Sequence, residues 1–173
     1  AEEAGVSLAE LYRMFLSKTA ILGAYTRRID RQVLDGPSAA EEGESVRDAL
    51  FELLMRRFEA MRPNRAGLAA VLRGTVPADP PAALSGLARL LCAMAWTLEA
   101  VGVGTSGFRG RCRTKGLALV YLDAFRVWLD DDSEDMGPTM AALDKALARA
   151  ERMVRVVRPG PRPQTDETDA AAH

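Results

Sequence analysis

Ala4-Gly5-Val6-Ser7-Leu8-Ala9-Glu10-Leu11-Tyr12-Arg13-Met14-Phe15-Leu16-Ser17-Lys18 is the stretch from which the rest of the chain takes its meaning. Ala1 to Ala4 favour helix, and Gly5 lets a helix end in the left-handed conformation. Ser7 can cap the next helix, with Glu10 three residues on completing a capping box. Leu11 and Phe15 are four apart and share one inward face, which leaves Leu8, Ala9 and Tyr12 on faces free to meet a partner. Ser17 can cap a third helix, with Lys18 in its first turn. The stretch therefore reads as a helix end, a tight turn, a short helix and the start of a longer one.

Outward from there, the pattern stays helical. Leu22, Tyr25, Ile29 and Val33 recur at helical spacing from Ser17 to about Leu34, where Asp35-Gly36-Pro37 ends the run. Ser38-Ala39-Ala40-Glu41 offers another capping box. Val46, Leu50, Leu53, Leu54, Phe58 and Met61 mark an amphipathic helix with Arg47, Glu52 and Arg56 outside. Pro63-Asn64 opens a shorter helix through Leu68, Val71 and Leu72, ended by Gly74. Asp79-Pro80-Pro81 caps a helix from about Ala82 to Val101. That helix is apolar nearly all round, with Arg89 and Glu99 its only charges, and it is expected in the middle of the body.

From about Phe108 to Leu129 a helix starts basic and then carries the run Leu117-Ala118-Leu119-Val120-Tyr121-Leu122. Six consecutive apolar residues cover every face of a helix, so one side calls for a second subunit. Asp130-Asp131-Asp132-Ser133-Glu134-Asp135 does not fit an EF-hand loop and reads as an acidic turn before the last helix. Met136, Met140, Leu143, Leu147, Ala150, Val154 and Val157 then form a heptad-like seam. The seam can pack within one chain. Beside the apolar run it suggests a dimer interface containing Val120, Tyr121, Met140, Leu143, Leu147 and Val154. The proline-rich, polar stretch after Arg158 reads as a disordered tail.

Composition excludes several classes. The 173 residues carry 48% hydrophobic and 27% charged residues with net charge −1, so DNA affinity would have to come from a local basic patch. No apolar run is read as a membrane span and no signal peptide is visible, which makes the cytoplasm the expected location. The single histidine, His173, stands at the end of the polar tail. Histidine-based nucleophilic triads and zinc sites are therefore not expected. Cys92 and Cys112 are isolated and expected to be buried or half-buried thiols. Gly102, Gly104, Gly107 and Gly110 follow no strand and form no phosphate loop. No enzyme activity, cofactor or metal is expected.

The pattern Ala4-Gly5-Val6-Ser7, Leu11-Tyr12-x-x-Phe15, Ser17-Lys18 resembles the helix-turn-helix signature of TetR-family transcriptional regulators. The resemblance implies an all-α, TetR-like fold, with a truncated helix-turn-helix head on a helical ligand-binding and dimerisation body. Residues 1–34 would be the partial head and linker helix, 35–158 the body and 159–173 the tail. The family has about one and a half more helices before this point, so the chain is expected to be a fragment or to lack its start. The DNA contacts implied are Ser7, Leu8, Ala9 and Glu10 near base edges, with Tyr12 and Lys18 near phosphates.

Thr114-Lys115-Gly116-Leu117-Ala118-Leu119-Val120-Tyr121, then Trp128-Leu129-x-Asp131-Asp132-Ser133-x-Asp135 and Thr139, is similar to the TetR-fold lipid-binding accessory proteins of ubiquinone biosynthesis. Two functions compete. The first is a one-component regulator that binds operator DNA as a homodimer under control of a small apolar ligand. The second is an isoprenoid-type lipid-binding accessory protein without DNA binding. Tyr12 and Lys18 favour the first, while Glu10, which opposes phosphate, and the neutral net charge favour the second. The polar tail argues against membrane contact. Three consecutive helices carry more apolar surface than one packing contact covers. A ligand cavity walled by Leu54, Phe58, Met61, Leu72, Leu91, Met94, Leu98 and Phe125 is therefore expected, with a solid core of the same residues as the alternative. Trp96 and Trp128 would flank that cavity. Asp123 would orient a polar head group or pair with Arg126.

Overall fold

The computed structural model describes residues 5–36, 45–75 and 79–157, with side chains described to residue 73 in the second segment and to residue 154 in the third. Side-chain caps set the helix starts. Ser7 accepts the Glu10 N–H at 3.2 Å and opens α1, Leu8–Met14. Gly5 enters that turn with φ +61°, a conformation costly for any residue with a Cβ. Ser17 accepts the Ala20 N–H at 3.1 Å and opens α2, Lys18–Leu34. Ser45 does the same for α3, Val46–Met61. A single 3₁₀ turn, Arg62–Asn64, leads into α4, Arg65–Thr75, one residue past Gly74. Asp79 accepts the Ala82 N–H at 3.0 Å and starts α5, Pro80–Ala100. The last two helices are α6, Gly107–Leu129, and α7, Gly137–Val157. No strand occurs among the described residues, so the chain is all-α. The helical start at residues 1–4, the Ser38–Glu41 cap, the Val157 side chain and the tail lie outside the described residues.

The centre of the molecule is α3. Ala49, Leu50, Leu53, Leu54, Met55, Arg57, Phe58 and Met61 are buried along it, and it touches α2, α5, α6 and α7. This corrects the expectation that α5 fills the middle. Only Ala93, Met94, Thr97 and Leu98 of α5 are buried, while Leu84, Leu87 and Trp96 are exposed. Its buried residues lie in its last two turns, and its first turns are largely exposed. The same helix is, by length and composition, apolar enough to cross a membrane, against the sequence reading that no run is.

The α6 and α7 helices pair with each other more extensively than any other two. Their connection is organised by Asp131. Its Oδ1 accepts from the Ser133 N–H at 3.1 Å and the Ser133 hydroxyl at 2.5 Å. Its Oδ2 accepts from the Thr139 N–H at 3.0 Å and the Thr139 hydroxyl at 2.5 Å. One carboxylate thus ties the turn to the first residues of α7. Burial alone would raise its pKa, but these four donors outweigh it and hold the carboxyl at about 2. Asp131 is 7% exposed, and its partner Thr139 is fully buried.

The expected dimer seam is spent inside the chain. Val120, Tyr121, Leu143 and Leu147 are buried in the core and Met140 is half-buried against it, so these side chains have no apolar surface to offer a second copy. Of the six named interface residues, only Val154 is exposed. A heptad spacing specifies an apolar stripe, and here the stripe meets α6 of the same chain. Within the run Leu117 to Leu122, Leu119 alone faces solvent.

Candidate nucleic-acid interface

The α1 helix carries no buried residue. Leu8 is 74% and Tyr12 67% exposed, and Ala9, Glu10 and Lys18 are also exposed. Leu11 and Phe15 are half-buried on the inward face, as their spacing requires. The six residues expected to meet DNA are therefore all open to solvent. Ser7 has a second task, since its oxygen caps α1. Among the described residues no return bond from the Glu10 carboxylate is found, and the side chain is exposed.

Sequence reading missed the charge of these two helices. Across α1 and α2 there are five bases, Arg13, Lys18, Arg27, Arg28 and Arg31, against two acids, Glu10 and Asp30. All five bases are exposed, and none has an ion-pair partner among the described residues. A net charge taken over the whole chain averages this patch away.

One of the two acids is itself neutralised. Asp30 Oδ1 lies 2.5 Å from Arg57 Nη1 of α3. Arg57 is buried, and its guanidinium carbon lies 5.7 Å from the centre of the Tyr121 ring. Burial opposes the Arg57 charge, yet Tyr121 and Asp30 outweigh it and its pKa rises. Burial likewise pushes the Tyr121 hydroxyl up, so it remains a neutral phenol. The ion pair clamps the middle of α2 onto the body. Further along, Arg89 of α5 packs over Gly23, and Arg56 donates to the Val33 carbonyl at 3.3 Å.

The expected ligand walls, Leu72 apart, belong to the core or pack against it. Leu54, Phe58, Met61, Met94 and Leu98 are buried, with Leu72, Leu91 and Phe125 half-buried. Phe58 stacks on Tyr121 at 5.2 Å with ring planes 2° apart. Phe125 stacks on Tyr121 at 5.5 Å and on Trp128 at 5.4 Å. These four rings fill the space between α3 and α6. Trp128 belongs to that stack, but Trp96 is 59% exposed and flanks nothing of the kind. Asp123 pairs with Arg149 of α7 at 3.3 Å, not with Arg126, and both partners are half exposed. Cys92 and Cys112 are exposed, against the expectation of burial. No group of residues suited to a metal ion occurs among the described residues.

Open space lies elsewhere. A cleft of about 560 Å³ is lined by α2, its C-terminal cap, the end of α3 and the 3₁₀ turn. A crevice of about 10 Å³ lies beside Asp30, Arg57 and Trp96. Comparison with protein-family models, curated proteins and solved structures finds no match to this chain.

Proposed function

We propose that the chain is a one-component transcriptional regulator of TetR-like architecture, which binds operator DNA as a homodimer in the cytoplasm. The observation that carries this reading is α1: a capped short helix with no buried residue, set at the head of a helix clamped to the body. A helix that contributes nothing to the core has its side chains free for a partner. Unpaired bases on α1 and α2 supply the local positive charge that a polyanion requires. Tyr12 and Lys18 meet phosphate, and Leu8 and Ala9 lie where thymine methyls can be read. Glu10 rejects phosphate and serves only as an acceptor for a cytosine amino group. The dimer face is built from what α6 and α7 leave outward, including Phe108 and Leu119.

Lys18→Ala tests the reading. In the full-length protein it should weaken binding to all DNA sequences alike and reduce the salt dependence by about one counterion. Fluorescence anisotropy against selected and random duplexes at several salt concentrations measures both. A loss restricted to one sequence, or absence of salt-dependent binding in the unmodified protein, refutes it.

A second reading, a lipid-binding accessory protein of the same architecture, is favoured by α5. Leu84, Leu87 and Trp96 present an apolar, exposed surface on a helix with few charges. Flotation of the protein with neutral phospholipid vesicles distinguishes it from the regulator.

A further inference from the structure

We propose that the exposed face of α5 is a self-association surface, on which α5 of a second copy of this chain packs antiparallel across a twofold axis at Cys92. The contact uses neither α6 nor α7. It is therefore distinct from the dimer face assigned to the regulator, and it stands without that reading.

The starting point is a helix of buried composition that its own chain leaves open. Among the described residues, α5 is the one helix long and apolar enough to cross a bilayer, yet only 22% of its most apolar 18-residue stretch is buried. Leu84, Ala88, Cys92, Trp96 and Ala100 follow one another at four-residue spacing, and all five are exposed. Residues at that spacing form one continuous row on a helix surface. A second row, Leu87, Leu91 and Ala95, runs beside it and is exposed or half-buried. The two charged residues of α5 are engaged elsewhere. Arg89 packs over Gly23 of α2. The Glu99 carboxylate accepts from the Thr105 N–H at 2.9 Å and the Thr105 hydroxyl at 2.6 Å. A contiguous apolar surface with no free charge gives an ionic partner nothing to pair with and calls for another apolar face.

The order of side-chain sizes along the row selects that face. It reads large, small, small, large, small. A twofold axis at Cys92 sets Trp96 opposite Ala88 of the second copy and Leu84 opposite its Ala100. Each large side chain then meets a small one, and the symmetry repeats the fit on both sides. An axis midway between Ala88 and Cys92 would instead set Leu84 against Trp96 and leave Ala88 facing Cys92, overpacked at the ends and hollow in the middle. Rows of this spacing pack with the helices crossing at about 50° and their axes about 8–10 Å apart, and small residues at the crossing permit the close end of that range. A bilayer is the competing cover. It makes no use of the gap at Ala88 and Cys92, and helices that lie on bilayers carry Lys and Arg along their polar face. The only base on α5 is Arg89, and it is turned to α2.

Sedimentation of the 173-residue chain over a concentration series, together with oxidative crosslinking, tests the contact. Cys112→Ser leaves Cys92 as the one thiol. Where two packed helices cross, facing Cα atoms come within the roughly 4.4–6.8 Å that a disulfide spans. Oxidation of Cys112→Ser by copper phenanthroline should therefore give a covalent dimer, and adding Trp96→Ala should suppress it. Trp96→Ala and Ala88→Trp should each weaken association at least about tenfold, the first by removing the inserted side chain and the second by filling the gap it enters. Combined in one chain, the two exchange large and small across the axis and should recover association to within about threefold of the parent. Both positions are exposed, so the single variants should melt as the parent monomer does, which separates a lost contact from misfolding. A parent chain that stays monomeric at about 100 μM, or one that associates without a Cys92 crosslink, overturns the proposal. A double variant as weak as either single one overturns the register. Flotation with neutral phospholipid vesicles that Ala88→Trp does not weaken, in a chain that forms no crosslink, assigns the row to lipid instead.

Discussion

Replacing Asp131 by Asn keeps the shape of the side chain and removes its charge. One oxygen still accepts from Ser133 or Thr139, but the new amide turns a donor toward donors at the other pair. The folded carboxyl has a pKa of about 2 against an ordinary 3.8. At about 1.4 kcal/mol per pH unit, the ionised form contributes about 2 kcal/mol to stability. The sign follows from the depressed value: the contribution is complete above pH 3.8 and is lost as pH falls through about 2. Urea unfolding at pH 7 should therefore show Asp131→Asn less stable by about 2 kcal/mol, or about 4–8 °C in melting temperature for a chain of this size. The gap between parent and variant should narrow as pH falls from 4 toward 2, because the carboxyl of the unfolded chain takes up its proton around 3.8 while that of the folded chain resists until about 2. A gap that stays constant over this range, or no gap at pH 7, refutes the role assigned to the charge.

Two further perturbations test the packing of α6 and the clamp on α2. A Cβ at Gly110 would lie 1.9 Å from the Thr105 carbonyl oxygen, whereas one at Gly116 meets nothing within 4 Å. Gly110→Ala should destabilise by about 2 kcal/mol or more despite its better helix propensity, and Gly116→Ala should stabilise by up to about 1 kcal/mol; equal signs in thermal melts would refute the assigned approach. Asp30→Asn leaves a buried Arg57 charge unpaired and should cost about 2–3 kcal/mol, while adding Arg57→Met should restore part of the loss. A double variant no more stable than Asp30→Asn in urea would show that the pair is not what Arg57 is buried for.

Helix boundaries were legible because they are written locally. Ser7, Ser17 and Asp79 each accept from the N–H three residues on, and the spacing is visible without any tertiary knowledge. What each apolar face meets was not legible. The composition of α5 announces a buried helix, yet its first turns lie beyond the reach of α3. The α7 stripe announces a partner, and the partner is α6 of the same chain. Arg57 gives no sequence signal at all: it follows Arg56 on an amphipathic helix, and its counter-ion, Asp30, lies 27 residues away. The basic patch was hidden for a different reason, since the acids elsewhere cancel it in the total.

The clamps on α2 bear directly on the proposed function. Arg89 over Gly23, Arg57 on Asp30 and Arg56 on the Val33 carbonyl all hold one helix, and α1 precedes it by only Phe15, Leu16 and Ser17. With no buried residue of its own, α1 takes its position from α2, with Leu11 and Phe15 half-buried. The 17 residues of α2 form a lever about 25 Å long. A tilt of about 5° over that length displaces its N-terminal end by about 2 Å, enough to break a hydrogen bond between Lys18 and a phosphate, whose length is about 2.9 Å. On the proposed reading, control of DNA binding needs no rearrangement of the aromatic core, only a small change in the angle at which α2 leaves it.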